Sequence, residues 1–357
     1  MNQGLPVAHA STVQIDTASP PRRSWSLVAL RLAGLAAGLV VVCVLALLSL
    51  RFGSLQITTQ DAWDGLFNFD RSIYEQVVVR EWRVPRTIIC ICLGGALGVA
   101  GTVIQGVTRN PLADPSILGV SQGASLGVAL AITYLGFSTP GQYIWVAFVG
   151  ALGAATLVFA VGSAGNGKAS PIRLALAGVV VAALLSAWTS ALLLGQEETM
   201  DQMRFWLAGS VVGRDLGILA TVSPFLALGT LAGLLMGHQL NVLGMGEDNA
   251  RALGMNTTRV RILASLLVVI ITGAAVSVAG PIGFIGLATP HIARAIVGAD
   301  YRWVLPYAMV LGAIILTAAD VAGRLVARPA ELQVGIVTAF VGAPFLIYLA
   351  RTTRTGS

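Results

Sequence analysis

Apolar stretches of about 20 residues, the length that carries an α-helix across a bilayer core, alternate with short polar connections along most of the chain. They cover 27–50, 85–107, 116–134, 143–163, 172–194, 217–237, 260–279, 282–297, 304–323 and 334–350. The pattern predicts an all-α polytopic membrane protein of about ten transmembrane helices. The stretch 282–297 is short and broken by glycine and proline. Ahead of the first span, residues 1–25 are polar, rich in Ser, Pro and Thr, and end in Arg22-Arg23, so a disordered tail is expected there and a membrane domain over 26–357. No small-residue cleavage site follows 27–50, which argues against a signal peptide.

Composition agrees with the pattern. The chain is 56% apolar and 11% charged, with 41 glycines, against roughly 25% charged residues in a soluble domain. With the N-terminus in the cytoplasm, the larger share of the 22 Lys and Arg falls inside, and of the 16 acids only Asp16, Asp114, Glu247, Asp248 and Asp300 do. Both termini are then cytoplasmic. Glycines recur at helical spacing (Gly94, Gly98; Gly119, Gly123, Gly127; Gly229, Gly233, Gly237), which predicts close helix–helix approach in lipid. Val99-Ala100-Gly101, Pro111 and Gly119 correspond in spacing to Val278-Ala279-Gly280, Pro290 and Gly298, a faint internal repeat that would run in opposite directions across the membrane.

Familiar chemistry is scarce. Cys90 and Cys92 point to different faces of one helix, Cys43 lies in mid-span, and His9, His238 and His291 are dispersed, so neither a disulfide nor a metal centre is expected. Gly162 to Ala169 nearly spells a phosphate-binding loop. It follows a membrane helix instead of a strand, however, and has Ala169 where a hydroxyl must hold magnesium, so no ATP site is expected in this chain. A secondary carrier or channel would place carboxylates in mid-membrane. None lies near a span centre: Asp320 sits toward a span end with Arg324 one turn on, as a local pair.

Three interruptions stand out. Asn110 to Ser116 reads as a tight turn into a helix start that Asp114 or Ser116 could cap. Gly280 to Gly286 with Pro290-His291 reads as a broken helix that protein must shield from lipid, or that lines a cavity. Between two apolar spans, Gly246-Glu247-Asp248-Asn249-Ala250-Arg251-Ala252-Leu253-Gly254 carries acids in a first turn, Arg251 one turn on, and a glycine stop. Such a short polar helix in a cytoplasmic loop suits presentation to a soluble partner.

Together these segments resemble the FecCD family, the permease subunits of ABC importers for iron-siderophores, haem and vitamin B12. The resemblance is carried by Arg83-Val84-Pro85-Arg86, Asn110 to Pro115 with Leu118-Gly119-Val120-Ser121, Gly246 to Gly254, Gly280 to Gly286 with Pro290-His291, and Glu331-Leu332 through Gly335 to Thr338 with Gly342-Ala343-Pro344, in family order. Met245 and Gln333 depart from the residues usual at their positions. The resemblance implies a type II ABC importer permease fold in a bacterial plasma membrane and a second permease subunit, identical or sibling. It also implies two ATP-binding subunits on the cytoplasmic face and an extracytoplasmic substrate-binding protein. Ferric siderophores are the expected cargo, with haem or cobalamin as alternatives, and no cofactor or nucleic acid is implied. By the same likeness the loop over about 238–258 is the ATPase-coupling element through Gly246, Glu247, Asp248, Ala250, Arg251, Leu253 and Gly254. Arg83, Arg86 and Arg324 correspond to arginines that receive carboxylates of the binding protein. Snorkelling at a span end is the plainer reading of Arg83 and Arg86.

Overall fold

The computed structural model describes residues 24–164 and 171–353, and among these it contains fifteen α-helices and no strand. In chain order they are α1 Ser24–Arg51, α2 Thr59–Phe67, α3 Tyr74–Val77, α4 Val84–Thr108, α5 Val120–Leu135, α6 Pro140–Ser163, α7 Pro171–Gly195, α8 Glu197–Leu207, α9 Leu216–Leu235, α10 Gly237–Gly244, α11 Glu247–Ala252, α12 Thr257–Ala279, α13 Ile285–Val297, α14 Tyr301–Val326 and α15 Val334–Thr353. A π-helical segment, Val78–Arg83, joins α3 to α4, and a 3₁₀ turn, Pro115–Leu118, precedes α5. Each apolar stretch foreseen in the sequence is a helix. Seven, counting α3 to α4 as one rod, are long and apolar enough to cross a membrane; Val120–Leu135, Ile285–Val297 and Val334–Ile347 are shorter apolar helices.

Polar residues at the helix starts set the boundaries. Asp215 Oδ1 accepts from Ile218 N at 2.8 Å to cap α9, and Asn256 Oδ1 accepts from Arg259 N at 3.0 Å to cap α12. Thr139 and Gln142 form a reciprocal capping box ahead of Pro140 in the first turn of α6. These contacts satisfy amides that a helix leaves unpaired at its start.

The rod continuing into α4 is the axis of the bundle, with 83% of its most apolar window buried, and it packs on α14, α12, α13 and α9. Small residues allow this. A Cβ on Gly94 or Gly98 would overlap the carbonyls of Gly312 and Ala308 in α14, and one on Gly101 would overlap Gly286 in α13. Gly123 and Gly127 do the same for α5 against Gly150 and Val146 of α6. Lipid tails are as apolar as leucine, so van der Waals contact and buried hydrogen bonds hold such helices together. At the rim, α1 has only 6% of its window buried, which explains why it is apolar all round.

Several expectations need correction. The third span starts at Val120, because Asp114 caps the 3₁₀ turn and Gly119 turns the chain at φ +71°. The second begins upstream of 85, as a rod from Tyr74. The faint repeat joins unlike structure: Gly101 lies inside α4 and Gly280 ends α12 at φ +73°, while Pro111 lies in a loop and Pro290 inside α13. Helices α2 and α8 break the connections at one end of the bundle, and α10 is a separate helix beyond the sixth span. The tail over 1–23 and most of the phosphate-loop-like segment, including Lys168 and Ala169, lie outside the described residues.

Candidate functional site

At one end of the bundle, α11 is held as a six-residue helix between two glycines with positive φ, Gly246 at +104° and Gly254 at +80°. Such angles strain any side chain with a Cβ, so glycine marks both ends. Glu247 Oε2 accepts from Arg251 Nη2 at 3.1 Å one turn away, and its other oxygen pairs with Arg261 of α12. Ala250 is fully buried; its N–H donates to Gly246 O and its carbonyl accepts from Met255 N, both at 3.0 Å. Asp248 is exposed, and Met245 and Leu253 expose 58% and 64% of their surface on either side. The result is a pinned acidic knob with two unpartnered apolar shoulders. Next to it, a cavity of about 810 Å³ opens between α4, α6, α7 and α12, mostly apolar, with Glu247, Arg251 and Arg261 in its lining.

Helix α10 seats this knob. Leu240 is fully buried and, with the Tyr301 ring, packs on Gly106 of α4. Asn241 Nδ2 donates to Asp300 Oδ1 at 2.6 Å, and its Oδ1 accepts from Tyr301 N at 2.9 Å. Asp300 caps α14 by accepting from Arg302 N at 3.0 Å. Hydrogen bonds from the Arg302 side chain, opposed by partial burial and helped by Asn241, bring its carboxyl down to about 2. Arg294 of α13 donates to Gln105 of α4 at 2.6 Å nearby.

At the opposite end, the structure brings Arg83, Arg86 and Arg324 together, and all three are buried, at 5%, 8% and 2% exposure. They do not snorkel. Arg83 donates to the carbonyls of Leu50 and Arg51 at 2.7 Å and of Leu55 at 2.6 Å, closing the end of α1. Arg86 Nε donates to Asp320 Oδ1 at 2.8 Å, and its Nη1 reaches Glu331 at 2.5 Å. Arg324 Nη2 lies 2.8 Å from Asp320 Oδ2, and the same guanidinium donates to Ser49 O and Oγ at 3.0 and 2.5 Å. The relay continues through Ser49 Oγ and Thr87 Oγ1, 2.7 Å apart, to the carbonyl of Arg83 at 2.8 Å. Three guanidiniums meet two carboxylates, leaving one positive charge in excess. Burial raises the Glu331 carboxyl, but hydrogen bonds from Arg86 and Ser54 and the Arg86 charge outweigh it and hold it below the ordinary carboxylate value. The cluster faces a cavity of about 560 Å³ that Tyr74, Trp82, Arg214 and Asp215 also line.

The structure brings together the three arginines that the sequence singled out, and adds Glu331 and Ser49, which the sequence reading did not connect with them. Asp320 is legible as a one-turn pair with Arg324. Ser49 and Asn241 carry no signal, because their partners lie 275 and 59 residues away.

Protein covers the broken helix at 280–286. Ser210 N donates to Ala279 O at 2.7 Å and Gly335 N to Gly209 O at 2.9 Å, laying the 208–210 turn and the start of α15 over the break. Phe284 sits at φ +75°, a conformation costing about 1–3 kcal/mol for a residue with a side chain. Its ring is fixed against Gly342 and against Phe345, with ring centres 5.5 Å apart, and His291 stacks edge-on to Phe345 at 5.8 Å. Among the described residues no group of His, Cys, Asp and Glu could hold a metal ion.

Comparison with known proteins gives three concordant findings. The profile of the FecCD transport family matches residues 39–352. A probable siderophore transport system permease, YfiZ of Bacillus subtilis, is 39% identical over 88% of this chain and 96% of its own length. The ferric enterobactin transport system permease FepD of Escherichia coli is 45% identical over 78% and 83%. Among solved structures, a chain of a metal-chelate type ABC transporter in an inward-facing conformation superposes with a TM-score of 0.79 at 29% identity, covering 89% of this chain and 98% of that one.

Proposed function

The chain belongs to the FecCD transport family, and on that premise we propose that it is the permease subunit of an ATP-driven importer whose cargo is a ferric siderophore. A siderophore is named for the Bacillus subtilis relative and ferric enterobactin for the Escherichia coli one, which favours an iron chelate of this kind over haem or cobalamin. Energy comes from two ATP-binding subunits on the cytoplasmic face. A second permease subunit completes the path, and an extracytoplasmic binding protein delivers the cargo. Both termini are cytoplasmic.

The observation that carries this reading is α11. A six-residue helix is too short to persist in water unaided, yet this one is fixed by two glycine turns, a buried Ala250 and the Glu247–Arg261 pair. Its exposed Met245, Asp248 and Leu253 suit insertion into a protein cleft. Displacement of the cleft on nucleotide binding would move the knob as a unit and reach the spans behind it. At the other end, the arginine-lined cavity is the docking face for carboxylates of the binding protein, drawn by the one positive charge that Arg83, Arg86 and Arg324 keep in excess of Asp320 and Glu331.

Ala250→Pro tests the coupling role. It removes the bond to Gly246 O and carries a helix-interior cost of about 3 kcal/mol, confined to the loop. In reconstituted vesicles with partner subunits, the variant should remain in the membrane and retain the ATPase while losing uptake and substrate-stimulated hydrolysis. Wild-type uptake with the ATPase still bound would rule the loop out as the coupling element.

A further inference from the structure

We infer that Asn241 is a positioning residue that links the coupling helix to α14, a helix remote in sequence, and that this link is a principal route by which motion of α11 enters the bundle. The inference rests on the reading of α11 as the coupling element.

Three connections leave the knob. Two follow the chain: back through Gly246 into α10, and forward through Met255 into α12, the latter reinforced by Glu247 and Arg261. The third crosses to another part of the fold. Asn241 grips both the Asp300 carboxylate and the Tyr301 backbone amide, so one planar amide holds the cap and the first residue of α14 together. Amides cannot rotate to satisfy one of these bonds without losing the other.

Leu240 makes the seat rigid. It is fully buried between α4 and α14, beside the Tyr301 ring, and Gly237 rests on the backbone of Arg302. Helix α10 cannot tilt independently of the α14 start without opening this contact. The bond from Asn249 Nδ2 to Met245 O, at 2.8 Å, and the Ala250 to Gly246 bond join α11 to the end of α10. A push on α11 thus reaches α14 through one short rigid piece. From there it passes to α4, the bundle axis, through the close Gly94–Gly312 and Gly98–Ala308 approaches. The same rod and helix carry Arg86 and Arg324 at their far ends. The end of α13 is tied to the same rod, where Arg294 donates to Gln105.

Asn241 Nδ2 donates to the Asp300 carboxylate, which the Arg302 side chain also reaches. Polarity at this position is therefore readable. Asn241→Asp sets a second carboxylate against Asp300, whereas adding Asp300→Asn removes that repulsion and lets an amide at position 300 donate back to position 241, while giving up the ion pair with Arg302.

The experiment compares cargo moved per ATP hydrolysed for wild type, Asn241→Ala, Asn241→Asp, the Asn241→Asp/Asp300→Asn pair and Ala250→Pro, each in vesicles with its partner subunits. Asn241→Ala and Asn241→Asp should lower this ratio by about tenfold, within the range that single positions in a coupled network command, while ATP is still hydrolysed. The exchanged pair should recover part of the ratio over Asn241→Asp, which a general loss of packing would not allow. An unchanged ratio in Asn241→Asp, or a pair no better than Asn241→Asp, overturns the link. Normal uptake by Ala250→Pro would overturn the coupling reading itself, so the two failures are told apart.

Discussion

Asp320→Ala puts the arginine end to its hardest test. The wild-type carboxylate is 1% exposed and holds two guanidiniums at once, Arg86 at 2.7 and 2.8 Å and Arg324 at 2.8 Å. Truncation leaves Arg324 with uncharged acceptors on Ser49 and the Asp320 backbone carbonyl, and Arg86 with Glu331 alone. Removing one partner from a buried ion pair costs about 3–5 kcal/mol, because the other charge stays desolvated. That is about two to three and a half orders of magnitude in the folding equilibrium. Unfolding in mixed micelles, followed through the seven tryptophans, should register this as a large drop in midpoint. An Asp320→Leu/Arg324→Met double variant removes both charges, leaves Arg86 paired with Glu331, and should regain most of the loss. A loss below about 1 kcal/mol in Asp320→Ala, the size of an exposed pair, would refute the claim that this cluster is a buried electrostatic unit.

Other predictions concern separate parts of the molecule. Gly101→Ala should destabilise the bundle strongly, because its Cβ would overlap the Gly286 carbonyl, while Gly153→Ala, with nothing within 4 Å, should be neutral or slightly stabilising by thermal unfolding in detergent. Arg324→Glu should weaken binding-protein affinity more than Arg324→Lys, with salt lowering it further in the wild type; unchanged binding in a triple charge reversal of Arg83, Arg86 and Arg324 would remove the docking role. The purified subunit alone should not bind nucleotide in equilibrium dialysis, and affinity lost in Lys168→Ala would contradict that. Asp300 has a folded value lowered to about 2, so its contribution is complete above the unfolded value near 4 and is lost only as pH falls from there through about 2. Transport per ATP should accordingly be flat across neutral and mildly acidic pH, and a fall centred near pH 6 would place the titrating group elsewhere.

Hydropathy made the spans legible because bilayer thickness constrains every crossing segment alike. The short helix α11 was readable for a local reason: its acids, Arg251 and Gly254 all lie within two turns of one another. Helices α2 and α8 escaped because their apolar content is low and their stability comes from the surfaces they cover. At the arginine end, the sequence offered Arg83 and Arg86 as residues at a helix start, where snorkelling is cheap. It could not reveal that the helix starts at Tyr74, which carries Arg86 inward to Asp320 and Glu331 and Arg83 to the carbonyls that end α1. Asn241 was invisible for a similar reason: an asparagine in a connecting loop resembles any solvated polar residue until Asp300 is brought beside it.

The bonds that close α1 impose an order in time. This helix is made first, yet Arg324 must reach Ser49 across 275 residues, and Tyr307 Oη donates to Arg31 O across 276. At about 5–20 residues per second, these partners leave the ribosome roughly 15–55 s later. Until then α1 has little but lipid along its length, with Arg83 and Thr87 meeting only its end, a condition its uniformly apolar surface suits. It thus enters the membrane with little protein along its length and is seated in the bundle only when α14 arrives.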